Sequence, residues 1–389
     1  MDNGRRWRED HARTGSSPPP KRKRTSHNGP SSVDNGIQNG SAALRCDQYN
    51  IAWICALHFE MAAARAMLDD FHEPLLAHAT DTNTYILGSI QRHNIVIACL
   101  PTAQHGMNNA AIVATNLRRT FPSIRLGLMV GVGGGAPGMA DIRLGDVVVG
   151  TRVMQYDLGK IVGEGQFEGT ATWRIPHQSL GTAVSVLRSK HELEPSRIPH
   201  ILGEKLERQP DFLRPRLRDR LFSATYNHQV PTGSCDECDP SKLVPRSTRI
   251  SGDPVIHYGG IASANQVMKS SAVRDNVARR LDVKCFEMET SGLMDTFSCL
   301  PIRGISDYSD SHKSDEWQRY AAAVAAAYAR ELIEALPKTH AQTQAVDLPD
   351  SRKLVKLQLI GNVSRSVCPT FKCRSKYIAS SSSTIARLT

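Results

Sequence analysis

Two apolar runs in this chain each stop at carboxylates, and a helix-length segment separates them: CFEMET over 285–290, then SCLPIRGISD over 298–307. A run that ends in an acid, followed by a helix and a second such run, is how a mostly parallel sheet delivers side chains to its carboxyl edge. The pattern therefore predicts an α/β fold with Glu287, Glu289 and Asp307 gathered at that edge, where such sheets bind ligands. Taken singly, Glu289 reads as the cap of a helix starting near Thr290, and Asp307 as the opening of a turn over 306–310.

The rest of the chain supplies the partners of that edge. YNIAWICAL, 49–57, reads as a buried strand and EMAAARAMLDDF, 60–71, as a helix, with Glu60 at the junction and so on the same edge. An acid in a first helical turn also has an ordinary reason to be there, the helix dipole. Strands are expected at 84–90 and 93–100, and a helix from about Met107 to Phe121. A buried strand at 126–130 opens into a glycine-rich loop, GVGGGAP. That loop is not G-x-G-x-x-G with a helix behind it, so dinucleotide binding is disfavoured. A strand follows at 146–150. Periodicity is lost from about 189 to 254, which marks an insertion over the core. DEWQRYAAAVAAAYARELIEAL, 315–336, is the clearest helix, opened by acids and stopped before Pro337.

The formal net charge of +10 suggests a nucleic-acid partner only until it is divided. Residues 1–48 hold nine Lys/Arg against five Asp/Glu, residues 351–389 hold eight Lys/Arg and no acid, and the middle carries −2. Basicity belongs to the tails, so no nucleic-acid contact is expected of the folded domain. Residues 1–48 and 338–389 lack core-forming composition and are expected to be disordered. The cluster Lys21 to Arg24, behind three prolines, is a candidate nuclear-import signal read by an import receptor. With no apolar leader and nine scattered cysteines, the expected compartment is reducing, nuclear or cytoplasmic. No membrane span is expected, because the longest uncharged tract, 126–140, is too short and carries six glycines. In the insertion, His228, Cys235 and Cys238 offer three metal ligands without an evident fourth. Cysteines that bind nothing are the expected reading, with these three kept as candidates.

In order, then, the chain has a strand leading to Glu60, a glycine-rich stretch at 131–135, FEMET at 286–290 and ISD at 305–307. This resembles the purine nucleoside phosphorylase and methylthioadenosine/adenosylhomocysteine nucleosidase superfamily, in the versions found in fungal multidomain proteins, over about 49–337. The resemblance implies a three-layer α/β domain with a mixed, partly barrel-like central sheet, a homo-oligomer, a purine nucleoside or nucleotide as ligand, and no cofactor. It makes Glu289 the acid that holds the ribose hydroxyls, Met288 the residue packed on the sugar, Asp307 the group that protonates or hydrogen-bonds the purine, and Glu60 the acid that activates water. Val132, Gly133, Gly134 and Gly135 would border sugar and base, with Phe286 near the base and Glu287 beside the site. Two departures stand out. The positions matching the phosphate-holding Arg and Ser of bacterial phosphorylases hold Met129 and Val132, and Ala264 and Asn265 replace a Gly-Asp pair.

The chemistry agrees with those residue types. Breaking an N-glycosidic bond builds positive charge on the sugar, which carboxylates stabilise, and the base leaves once a proton neutralises it. The expected function is hydrolysis of a purine, first adenine, from its ribose. A phosphorylase and a non-catalytic nucleotide-sensing module are the other two readings.

Overall fold

The computed structural model describes residues 44–138, 140–228 and 235–337. The basic arm with Lys21 to Arg24 and the C-terminal segment beyond 337 lie outside the described residues. A short 3-10 turn, Cys46–Gln48, precedes the first strand, and Tyr49 is already buried.

Strand β1 (Ile51–Cys55) is buried along its whole length, as expected of a strand covered on both faces. Helix α1 (His58–Ala66) follows and ends five residues before the sequence pattern suggested. Its end is set by tertiary pairing: Asp69 N donates to Ser89 O at 2.8 Å, and Asp70–Phe71 pair antiparallel with the next strand as β2. Strands β3 (Tyr85–Ile90) and β4 (His93–Cys99) form a hairpin, and α2 (Met107–Thr120) leads to β5.

Strand β5 (Leu126–Gly135) corrects the sequence reading most clearly, for the glycine-rich stretch is its second half rather than a loop. Glycine is disfavoured in a strand interior unless something approaches the backbone closely. Here a Cβ on Gly131 would overlap the Glu60 carboxylate, and one on Gly134 would overlap Asp307 Oδ1 and Ser309 Oγ. The glycines clear space for acids.

Strand β6 (Val147–Gln155) is longer than predicted, and β7 (Gly159–Val162) and β8 (Gln166–Gly169) make a separate exposed hairpin. Two helices follow, α3 (Gln178–His191) and α4 (Ile198–Leu206). The expected insertion at 189–254 is therefore corrected at its start: α4 buries Ile198, Ile201 and Leu206 in the main core, and the irregular chain begins only after it. The order ends with β9 (Ile256–Ser263), α5 (Ser271–Leu281), β10 (Val283–Glu287), α6 (Thr290–Thr296), β11 (Cys299–Asp307) and α7 (Gln318–Glu334).

The main sheet runs β10-β9-β6-β11-β5-β1-β4-β3-β2, and β10 also pairs with β5 through Cys285–Gly135 and Phe286–Gly134. Five strands thus close on themselves while four extend outward as an open wing. The sheet is mixed, since β1, β4, β5 and β11 run parallel but β6 opposes β11. Ile51, Trp53 and Cys55 share a core with α1 and α7, and the alternate residues Ala52 and Ile54 are buried on the opposite face. Helix α7 is buried around its circumference, from Tyr320 to Ile333. It lies so close to β11 that a Cβ on Gly304 would meet the Ala321 backbone. Among the described residues no helix is long and apolar enough to cross a membrane.

Candidate functional site

Where the closed part of the sheet opens, β10 ends at Glu287 and β11 at Asp307, and the first turn of α1, just after β1, carries Glu60. These line one cavity of about 200 Å³ together with Glu289, Val132, Gly133, Gly134, Phe286 and Met288. The structure thus brings together every catalytic and substrate-binding residue singled out by sequence except Gly135, while the metal candidates His228, Cys235 and Cys238 lie elsewhere. A Cβ on Gly135 would point at Ile142 and Ile305, neither of which lines the cavity.

Glu60 is 2% exposed, and backbone amides hold both its oxygens. Ala56 N and Leu57 N donate to Oε2 at 2.8 and 3.0 Å, and Val132 N donates to Oε1 at 2.8 Å. The first pair is a helix-start arrangement; the third comes from β5 and ties the acid to the cavity wall. Burial raises its pKa above the usual carboxylate value, opposed by the Arg303 charge and these amides.

Glu287 and Glu289 divide the roles that the sequence left open. Glu287 caps α6, since its Oε2 accepts from Glu289 N at 3.0 Å, Thr290 N at 2.9 Å and Thr290 Oγ1 at 2.7 Å. Glu289 stands at the cap position yet makes no side-chain cap bond, which leaves its carboxylate turned into the site. It accepts weakly from Gly106 N and from Arg303 Nη2, both at 3.4 Å. Burial pushes its pKa up to about 7, with the Arg303 charge pulling the other way and Glu287 and Glu60 adding to the rise.

Arg303 organises these acids. It is 1% exposed, donates through Nη2 to Glu287 Oε2 and approaches Glu289, while Nη1 donates to Val132 O at 3.3 Å. Sequence reasoning passed over it, although a charge inside the apolar run LPIRGISD is the signal: a strand buried on both faces admits an arginine only with partners.

Asp307 follows a register shift in the β5–β11 pairing, between Ile305 and Asp307, and such an irregularity re-aims side chains at a sheet end. Ser309 N donates to its Oδ1 at 2.8 Å and Ser306 Oγ to its Oδ2 at 2.9 Å. Lys313 Nζ also bonds Oδ2. Lys313 lies in the loop before α7, where sequence pattern gave no hint of it. His105 and Gln266 line the cavity from two further loops. Asn265, one of the departures noted above, points elsewhere: its Oδ1 accepts from Met107 N at 3.0 Å and starts α2. Met129 is fully buried in β5 and Val132 lends its amide to Glu60, so neither offers an anion a side-chain donor.

A family model described as the phosphorylase superfamily matches residues 50–336, nearly the whole described region. The chain belongs to the phosphorylase superfamily. Among its relatives is a nucleotide-binding leucine-rich repeat (NLR)-like protein of Hyaloscypha variabilis, 42% identical over 301 residues, which are 75% of this chain and 30% of that one. The chain thus spans under a third of that relative's length. A 5′-methylthioadenosine/S-adenosylhomocysteine nucleosidase of Mycobacterium bovis is 27% identical over 293 residues, covering 73% of this chain and 95% of the relative. In fold, the chain is similar to futalosine hydrolase of Helicobacter pylori, with a TM-score of 0.50 at 15% identity over 74% of this chain and 99% of that one. Membership in the phosphorylase superfamily agrees with the closed mixed sheet and its open wing.

Proposed function

We propose that this superfamily member is an N-glycosidase in which water displaces a purine, adenine first, from its ribose. The observation that carries this reading is the electrostatics of the cavity. Four carboxylates, Glu60, Glu287, Glu289 and Asp307, line it, whereas the two cations among its described lining residues, Arg303 and Lys313, are already paired with acids. A phosphate dianion would meet net repulsion there, since anion sites draw on unspent Arg, Lys, hydroxyl or amide donors. Water meets none. The nucleosidase name of the mycobacterial relative supports the same class.

In this reading the bond from sugar C1′ to the base nitrogen breaks and its electron pair goes to the base. Asp307 stands at the base end and relays a proton from the Lys313 ammonium to the leaving ring. Ionised Glu289 holds the ribose hydroxyls and faces the cationic sugar as charge develops. Glu60, its affinity for protons raised by burial, takes the proton from the attacking water, which completes a free sugar. Phe286, edge-on to Tyr156 at 5.7 Å between ring centres, and Met288 give the apolar walls.

The test is a panel of adenosine, inosine, adenine nucleotides and 5′-thioether adenosines, with free base quantified after incubation with the purified full chain. Base release from at least one member is expected. Binding with no base released from any would make the cavity a sensor instead.

A further inference from the structure

Beyond the cavity, the irregular chain after α4 folds over the loop that joins β11 to α7, and it places three soft ligands together. One donor atom each from His228, Cys235 and Cys238 lies within 4.8 Å of the others, and Cys238 is buried. A second imidazole flanks them. The His312 ring centre is 5.3 Å from that of His228, and Cys235 Sγ lies 3.9 Å from His312 O.

His312 is the informative residue. Its side chain is only 5% exposed, and neither ring nitrogen has a hydrogen-bond partner, although a buried imidazole left so incurs a desolvation cost. Phe222 stacks on it at 4.2 Å and Tyr226 lies 5.5 Å away, so the ring is held in place by apolar contacts. Its Nδ1 is 3.7 Å from Asp310 Oδ1. A carboxylate beside one imidazole nitrogen while the other is left for a metal is the usual outer arrangement of a zinc-bound histidine.

We propose that His228, Cys235, Cys238 and His312 bind one zinc ion that fastens the insertion to the β11–α7 loop. Two thiolates and two imidazoles are a donor set for a closed tetrahedral structural site. With zinc bonds of about 2.0–2.3 Å, ligand atoms stand roughly 3.3–3.8 Å apart, so His228, Cys235 and Cys238, whose donor atoms lie within 4.8 Å of one another, have on the order of 1 Å to close, and the His312 ring must shift to join them. The two thiols lose their protons on binding. Other contacts already tie the same elements: His228 N donates to Ser311 Oγ at 2.9 Å, and Tyr308 OH donates to Asp219 Oδ1 at 2.6 Å. The ion would complete this seam next to Lys313, and so steady the partner of Asp307.

The experiment is metal analysis of the full chain purified without chelator, repeated for Cys235→Ser, Cys238→Ser and, as a control, Cys46→Ser. About one zinc per chain is expected in the wild type and the control, falling below about 0.2 in either site variant. Should those variants misfold, the wild-type protein decides alone: stripped with a chelator it should melt at a lower temperature, recover with zinc, and with cobalt(II) give the absorption of a tetrahedral thiolate complex. His312→Ala should weaken zinc affinity by at least about tenfold. Zinc below about 0.2 per chain with no response to added metal, unchanged content in both cysteine variants, unchanged affinity in His312→Ala, or a Cys235–Cys238 disulfide in the metal-free native protein would each overturn the four-ligand site.

Discussion

The amide of Val132 donates to Glu60 Oε1 at 2.8 Å, joining residues 72 apart in sequence. This bond explains why position 131 is glycine: the acid must lie against the backbone there to reach Val132 N. It also fixes one carboxylate oxygen, so that the acid meets a water in a single orientation. Glu60→Gln keeps the shape and forfeits the base. Turnover should fall by roughly two to four orders of magnitude, the usual contribution of a positioned general base, with ligand affinity nearly unchanged. Calorimetric titration beside steady-state rates would check this; equal losses in both would reduce Glu60 to a structural cap.

Glu289 sets a pH dependence. Its pKa is raised from 4.5 to about 7, so the folded state binds this proton more tightly than the unfolded chain does. Its contribution to stability is therefore present at low pH and lost as pH rises from about 4.5 towards about 7. Catalysis needs the ionised form, so kcat/KM should climb through about 7 and then level off. In Glu289→Gln that rise should vanish and activity drop by roughly two orders of magnitude or more, with a 2′-deoxy substrate losing less than its ribose counterpart. A retained rise would assign the titration to another group.

Lys313 is expected to act through Asp307. Lys313→Gln should lower kcat about tenfold to a hundredfold while KM moves little, since the lysine assists protonation of the leaving base. A riboside whose leaving group departs without protonation, such as a nitrophenyl riboside, should be hydrolysed by the variant nearly as well as by the wild type. Comparable losses on both substrates would leave Lys313 a purely structural partner of Asp307.

Arg303 tests the packing beneath the site. Arg303→Met fills the space but strands Glu287, which is buried and capping α6, without its cation. Removing one partner of a buried pair costs about 3–5 kcal/mol, so a large drop in denaturation midpoint is expected. Arg303→Met with Glu287→Gln should recover part of it, measured by chemical denaturation.

Much of this site was legible because strand ends are written in sequence as apolar runs meeting acids; Glu60, Glu289 and Asp307 could be placed on one edge from that pattern. The glycines of β5 read as a loop rather than as strand, because what approaches them, Glu60 and Asp307, lies far along the chain. Helix α1 stops at Ala66 for a similar reason, overruled by the pairing of Asp70–Phe71 with β3. Arg303 carried its own signal, a charge inside a buried run, whereas Lys313 and His312 sit in a loop whose meaning comes only from the elements folded against it.

The account rests most heavily on water as the acceptor of the sugar. Incubating the purified full chain with its best nucleoside in water enriched in oxygen-18, with and without inorganic phosphate, and weighing the sugar product by mass spectrometry tests this directly. Free sugar carrying one heavy oxygen, formed at the same rate in both buffers, is the predicted result. Sugar 1-phosphate, formed only when phosphate is present, would contradict it.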